Sequence, residues 1–264
     1  MEHATEQVAI VTGGTGAIGS AIATGIAGQP GWEVVLVSRD ERRAKQAVQQ
    51  IVQATGNRRV RHEIADVSRR GAVEALAARW AGPLHLLVNN AAVTPTRREE
   101  TPEGIELQFA TNVLGYFWMI QAFADTLHRS APARVVNVAS YWAGDLELND
   151  LEFTRRRYDN NTAYRQSKQA DRMLTVAFAE RLKPLGVTAN ACHPGDVPST
   201  LSRNLGFHGH NTPEEGAGTP VWLATDPAVG KMTGKYFADC HEAPCQFARD
   251  RAGFEALFAT CLLY

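Results

Sequence analysis

The chain is short of several things at once. Among its 264 residues there are 4 cysteines, with no paired short spacing, so no disulfide framework is expected and the thiols are expected to stay reduced. Cys240, His241 and Cys245 offer three zinc-type ligands, but no fourth is evident and the spacing suits a tetrahedral set poorly; no metal is expected. Net charge is almost absent. A formal value of -1 provides no field to draw a nucleic acid, and Arg58-Arg59-Val60-Arg61, Arg97-Arg98 and Arg155-Arg156-Arg157 are too dispersed for a binding stripe, so they suit solvated faces or loops. No linker interrupts the chain. Its length and 44% hydrophobic content fit one α/β domain over 1–264, with a core on both faces of a sheet.

What is present is concentrated in a few places. Tyr164, Ser167 and Lys168 lie in a stretch, Ala163 to Lys183, where Ala170, Met173, Leu174, Ala177, Phe178, Arg181 and Leu182 recur at helical spacing. Residues four apart share a helix face, so the phenol and the ammonium project together. A free tyrosine titrates near 10, and a neighbouring cation pulls that value down, toward what acid-base work needs. Taken alone, such a pair equally describes an exposed couple on a solvated face.

The beginning of the chain supplies context. The apolar run Val8 to Thr12 leads into Gly13-Gly14-Thr15-Gly16-Ala17-Ile18-Gly19, and a helix-like stretch, Ser20 to Ala27, follows. Strand, glycine loop and helix in that order are the setting in which backbone N–H groups at a helix start hold a pyrophosphate. A second buried strand, Glu33 to Val37, ends at Ser38-Arg39-Asp40. An acid at such a strand end suits the ribose hydroxyls of NAD, and an arginine suits the 2′-phosphate of NADP. Ser38 occupies the acid's place and Arg39 follows, which favours NADP(H) over NAD(H), while a one-residue shift in register would bring Asp40 to the ribose.

Further strands are expected at Val60 to Ile64, Leu84 to Asn89, Arg134 to Ala139, Val187 to His193 and Lys235 to Ala238, with helical segments between most of them. This alternation predicts a Rossmann-type doubly wound sheet of about seven mostly parallel strands, joined by right-handed crossovers with helices on both faces. Gly13, Arg39, Asp66, Asn89, Ser140 and Pro194 fall at or just after strand ends, where such sheets build their sites.

By its motifs the chain resembles the short-chain dehydrogenase/reductases, and among them the branch of the retinol dehydrogenases and WW-domain oxidoreductase. The resemblance spans nearly the whole length: Thr12 to Gly19, Asp66-Val67, Asn89-Asn90-Ala91, Asn112, Ser140, Tyr164 with Lys168, and Pro194-Gly195 occur in the family's order. The branch is suggested by the long span from Ser140 to Tyr164, by His193-Pro194-Gly195 followed by Val197, Thr200 and Leu201, and by Gly234 to Cys240. Ala17 departs from the pattern where a motif glycine is usual, as does Asn90-Ala91-Ala92 where Asn-Ala-Gly is usual.

The resemblance implies an NADP(H)-dependent oxidoreductase. The cofactor residues it implies are Gly13, Thr15, Gly16, Ala17, Ile18, Gly19, Ser38, Arg39, Asp66, Val67, Asn89, Ala91, Pro194, Gly195 and Val197, with Tyr164 and Lys168 shared with catalysis. Tyr164 would be the proton donor, Ser140 the partner of the reacting oxygen, Lys168 the group that lowers the phenol and holds the ribose, and Asn112 the holder of a water leading to solvent. The rival is a non-catalytic NADP(H) sensor that binds partners on the same fold. Val93, Tyr141, Trp142, Val197 and Phe207 are candidates for an apolar lining, which suits a hydrophobic aldehyde, ketone or alcohol. Gly144 to Thr162 is expected to border the pocket, and Val197 to Thr219 to form either a mobile flap or an ordinary surface loop. Retinol dehydrogenases often carry an N-terminal anchor, but a first strand at Val8 leaves no room for the roughly 20 apolar residues that span a bilayer, so a soluble, cytoplasmic protein is expected. Self-association through the helices carrying Asn112 and Tyr164 is frequent in the superfamily, and monomer, dimer and tetramer stay open.

Overall fold

The computed structural model describes residues 6–264; the first five residues of the expected 1–264 domain lie outside them. One sheet runs through the described residues in the order β3-β2-β1-β4-β5-β6-β7-β8. Its strands are β1 (Gln7–Thr12), β2 (Trp32–Ser38), β3 (Val60–Ile64), β4 (Leu86–Asn89), β5 (Ala133–Val138), β6 (Val187–Cys192), β7 (Tyr236–Ala238) and β8 (His241–Glu242). All neighbours pair in parallel except β7 with β8. The expected count of about seven is therefore one short. The additional strand has two residues and returns through Asp239 and Cys240, both in the left-handed region. A strand that short has no alternation to reveal it, and its turn lacks the Asn-Gly pair that usually marks a tight hairpin.

Side-chain alternation along the strands splits the core in two. Val8 and Ile10 of β1, with Val35 and Val37 of β2, enter the larger layer; Ala9, Val11, Val34 and Leu36 enter the other. On the larger side pack α3 (Arg70–Arg79), α4 (Gly115–Arg129), α5 (Asn160–Leu182) and α8 (Arg251–Cys261). Opposite them are α1 (Ala17–Ala27), α2 (Glu41–Thr55) and α7 (Pro213–Thr225). Helix α5 is buried almost all round because the sheet lies under it and α8 over it. Arg181, part of the helical stripe, is the exception: its head is exposed, ion-paired with Glu255, and its guanidinium carbon lies 3.9 Å from the Phe258 ring centroid.

The chain leaves β3 at one edge and resumes at β4 beside β1. Successive strands then run outward in the other direction, so the carboxyl ends of β1 and β4 flank a crevice. A wide π-helical turn, Phe109–Leu114, leads into α4, and such turns concentrate at functional sites. The segment from Val197 to Thr219, expected as a flap or a surface loop, carries helical structure. It contains α6 (Thr200–Asn204), and both α6 and α7 begin with reciprocal caps, Ser199 with Ser202 and Thr212 with Glu215. Asn204 donates to the Thr94 carbonyl, and the Asp196 amide donates to Asn211. These bonds pin the segment to the body of the molecule.

Candidate active site

The glycine loop takes its shape from contacts that tolerate no side chain. Gly13 has a φ of +64°, and a Cβ there would lie 2.8 Å from the Ala91 Cα. A Cβ on Gly19 would lie 2.3 Å from the Gly13 carbonyl. Helix α1 begins at Gly16 with no side-chain cap and no acid in its first turn, so its first N–H groups remain open to an anion. Ala17 is exposed and Ile18 lines the adjoining cleft. A dinucleotide pyrophosphate fits this arrangement.

Around the second strand end, Ser38 is buried, with its hydroxyl 3.5 Å from that of Thr15. Arg39 is exposed. Asp40 caps α2 by accepting from the Arg43 amide at 2.9 Å, and the Arg43 guanidinium donates to the Thr15 carbonyl at 3.1 Å. Sequence reasoning missed Arg43, although its place in the first turn of α2, three residues after the cap, was a usable signal. Asp66 is held by the Ser68 amide and hydroxyl, at 3.0 and 2.7 Å. Val67 is buried, its carbonyl closely approached by Gly115.

One expected cofactor residue is placed elsewhere. The Asn89 side chain is wholly buried and donates to Asn137, which in turn donates to Thr175. The strand's pleat turns Asn89 into the core and presents its neighbour. Asn90 lines the cleft and donates to the Thr12 carbonyl at 2.9 Å, while the Thr12 hydroxyl accepts from the amides of Asn90 and Ala91.

Ser140, Tyr164 and Lys168 line the same cleft with Pro194, Gly195 and Val197. Residues far apart in sequence meet there because β5, β6 and α5 all deliver them to one sheet edge. Lys168 is 2% exposed. Its ammonium donates to the Val138 carbonyl at 3.0 Å and to Asp171 at 2.8 Å, leaving one N–H, and it lies 5.9 Å from the Tyr164 ring centroid. Burial would depress the Lys168 ammonium, but Asp171 and the phenols of Tyr116 and Tyr164 carry it above the ordinary lysine range. Tyr164 departs from expectation in sign. Burial pushes its phenol above the ordinary value, and Lys168 and Ser140 only partly draw it back. The spacing of Tyr164 and Lys168 revealed the cation and not the desolvation, which depends on what packs around the helix.

The Asn112 side chain is bonded within the protein. Its amide oxygen accepts from the Val93 N–H at 2.9 Å, and its nitrogen donates to the Val93 carbonyl at 3.1 Å and to Ser167 at 3.3 Å. With those atoms committed, the side chain clamps the loop after β4 onto the π-helical turn. Of the apolar candidates, Val197 and Phe207 line the cleft. Trp142 packs at its edge, 6.1 Å from Tyr164 and 5.9 Å from Phe207 between ring centroids. Val93 is held by Asn112, and Tyr141 is 57% exposed, its hydroxyl donating to Asp196. Asp196 also lines the cleft and had no distinguishing motif of its own.

Comparison with known proteins agrees with this architecture. The family model for short chain dehydrogenase matches residues 7–207. A probable oxidoreductase of Streptomyces antibioticus is 36% identical, with 90% of this chain and 87% of the relative covered. Retinol dehydrogenase 13 of Mus musculus is 33% identical, with 91% and 78% covered. Among solved structures, the RhlG/NADP active-site complex of Pseudomonas aeruginosa superposes with a TM-score of 0.70 at 27% identity, covering 89% of this chain and 95% of that one. The chain belongs to the short-chain dehydrogenase family. Within that class it is an oxidoreductase of the retinol dehydrogenase-like branch, a family that uses nicotinamide cofactors.

Proposed function

We propose that this oxidoreductase interconverts a hydrophobic aldehyde or ketone and its alcohol, using NADP(H), within one catalytic domain. The observation that carries the reading is the convergence of Ser140, Tyr164 and Lys168 on the cleft that Ile18 and Asn90 border from the glycine-loop side. Arg39, exposed just after β2, and Arg43, whose guanidinium reaches the Thr15 carbonyl, would suit a 2′-phosphate, while Asp40 is engaged as a helix cap; together they favour NADP(H). The NADP complex of the Pseudomonas aeruginosa relative is consistent with that preference.

The nicotinamide, when bound, supplies or accepts the hydride. Ser140 holds the substrate oxygen. Tyr164 gives that oxygen a proton during reduction and takes it back during oxidation. Lys168 keeps a positive charge beside the phenol and has one N–H free for the ribose. Trp142, Val197 and Phe207 exclude water and favour an apolar substrate.

The test is a panel of carbonyl compounds with NADPH, run on the wild type and on Tyr164→Phe. Loss of the proton donor is expected to lower kcat by about 10²–10⁴-fold, with NADPH affinity within about threefold. Turnover that survives the substitution would overturn the assignment. Tight NADPH binding with no turnover of any carbonyl by the wild type would favour a sensor.

A further inference from the structure

Asp171 lies one helical turn beyond Lys168 on α5 and belongs to none of the motifs that define the site. Its side chain is 0% exposed and that of Lys168 3%. One carboxylate oxygen takes the Lys168 ammonium at 2.8 Å, and the other has no hydrogen-bond partner. The adjacent Arg172 is occupied elsewhere: it donates to the Ser140 carbonyl and stacks 3.6 Å over the Tyr236 ring. A buried carboxylate with an unbonded oxygen is costly, and apolar residues of similar volume commonly serve stability as well or better. Packing alone therefore does not account for an acid here.

We propose that Asp171 is a positioning residue that holds the Lys168 ammonium in place and offsets part of its pull on Tyr164, so that the phenol gives up its proton at a higher pH than Lys168 alone would set. This deepens the functional reading above and rests on Tyr164 as the proton donor. The pH at which that group passes from donor to acceptor is then set by the Lys168–Asp171 pair and not by Lys168 alone.

The surrounding groups leave that role to Asp171. Lys168 meets Tyr164 and Asp171 from α5, Tyr116 of α4 with its ring centroid at 5.1 Å, and the Val138 carbonyl of β5, with the Cys192 thiol of β6 nearby. Burial pushes Tyr116 and Cys192 upward, so both are neutral near pH 7. Asp171 has Cys261 of α8 nearby, and burial raises that thiol also. Tyr164 meets Ser140 and Lys168, and Asp196 after β6 pushes it in the same direction as Asp171. Asp171 is the one carboxylate among the described residues bonded to the ammonium.

Asp171→Asn tests the idea with little change of shape, because the amide oxygen can still accept from Lys168. Phenolate absorbance is titrated for the wild type minus Tyr164→Phe, and for Asp171→Asn minus the same change in that background, with neither substrate nor cofactor. The Tyr164 transition is expected about one unit lower in Asp171→Asn, and Asp171→Glu should restore it toward the wild type. An unmoved transition overturns the proposal. Should Asp171→Asn fail to fold, the side-chain NMR signal of Lys168 in the wild-type protein decides. It is expected to remain an ammonium beyond the ordinary lysine value of about 10.4, and deprotonation below it would leave no pull for Asp171 to offset and overturn the proposal. A shifted phenol in a protein that reduces no carbonyl would fell the functional reading and leave the pair's effect on Tyr164 intact.

Discussion

Tyr164 works under two opposing pressures, desolvation that favours the phenol and a cation that favours the phenolate. Neither residue of the Tyr164–Lys168 spacing betrays the first. Arg39 is the simpler case, since it is exposed. Arg39→Ala is expected to weaken NADPH by about 10-fold or more, the usual worth of a charge-assisted contact, and to leave NADH nearly unchanged. Equal losses in a fluorescence titration of both cofactors would refute the proposed phosphate contact. At this scale the sequence was partly legible. Gly13, Gly19, Ser140, Tyr164 and Lys168 stood out because their chemistry or conformational freedom is hard to replace. Asn89 and Asn90 are identical in type, and only the pleat of β4 decides that the second one faces the cleft. Asp171 carried no motif, because a buried ion pair is visible only once the burial is known.

The helix carrying Asn112 begins with its own titrating cap. Glu106 accepts from the Gln108 and Phe109 amides at 2.9 and 2.7 Å while 1% exposed. Burial raises its carboxyl from 4.5 to about 7, against those two hydrogen bonds. A raised folded-state value means that the native state binds more protons than the unfolded one between those limits. Glu106 therefore contributes most below about pH 4.5, and its contribution falls as pH rises to about 7, by roughly 3 kcal/mol at most. Glu106→Gln should remove that slope from a plot of denaturant-derived stability against pH, measured beside the wild type so that the other carboxylates cancel. An unchanged slope would show that the carboxyl titrates normally. Helices α1 and α5 and most strands were legible from apolar spacing and glycine punctuation, with strand ends shifted by a residue or two and both helices beginning three residues earlier than expected. The capped α6 within the expected flap was not, since five residues carry little periodicity and its latch to Thr94 is a contact 110 positions away.

At the scale of the whole molecule, α8 packs over α4 and α5 and covers part of their outer face. Phe258 packs against Phe117 and Phe178, with ring centroids 5.0 and 5.1 Å apart, and Phe254, Leu257 and Cys261 are buried beside it. The full chain is expected to show no association through this face in sedimentation experiments, whereas removing 251–264 should expose the aromatic cluster and produce dimers or larger species. A dimer of the full chain that Phe117 substitutions dissolve would contradict this. Phe258→Ala should cost about 3–5 kcal/mol, as large-to-small changes in a packed core do, measured by chemical denaturation. No helix of the described residues is long and apolar enough to cross a membrane.

Chain order alone determined the alternating strands and helices, the glycine loop and the grouping of polar motifs at strand ends. Each of these depends on local spacing and on side-chain types that few others can replace. Tertiary structure decided the sign of the Tyr164 shift, the partnership of Lys168 with Asp171, the choice between Asn89 and Asn90, and the covering of α5 by α8. Those outcomes follow from desolvation and from contacts between distant segments, and both come into being only when the segments meet.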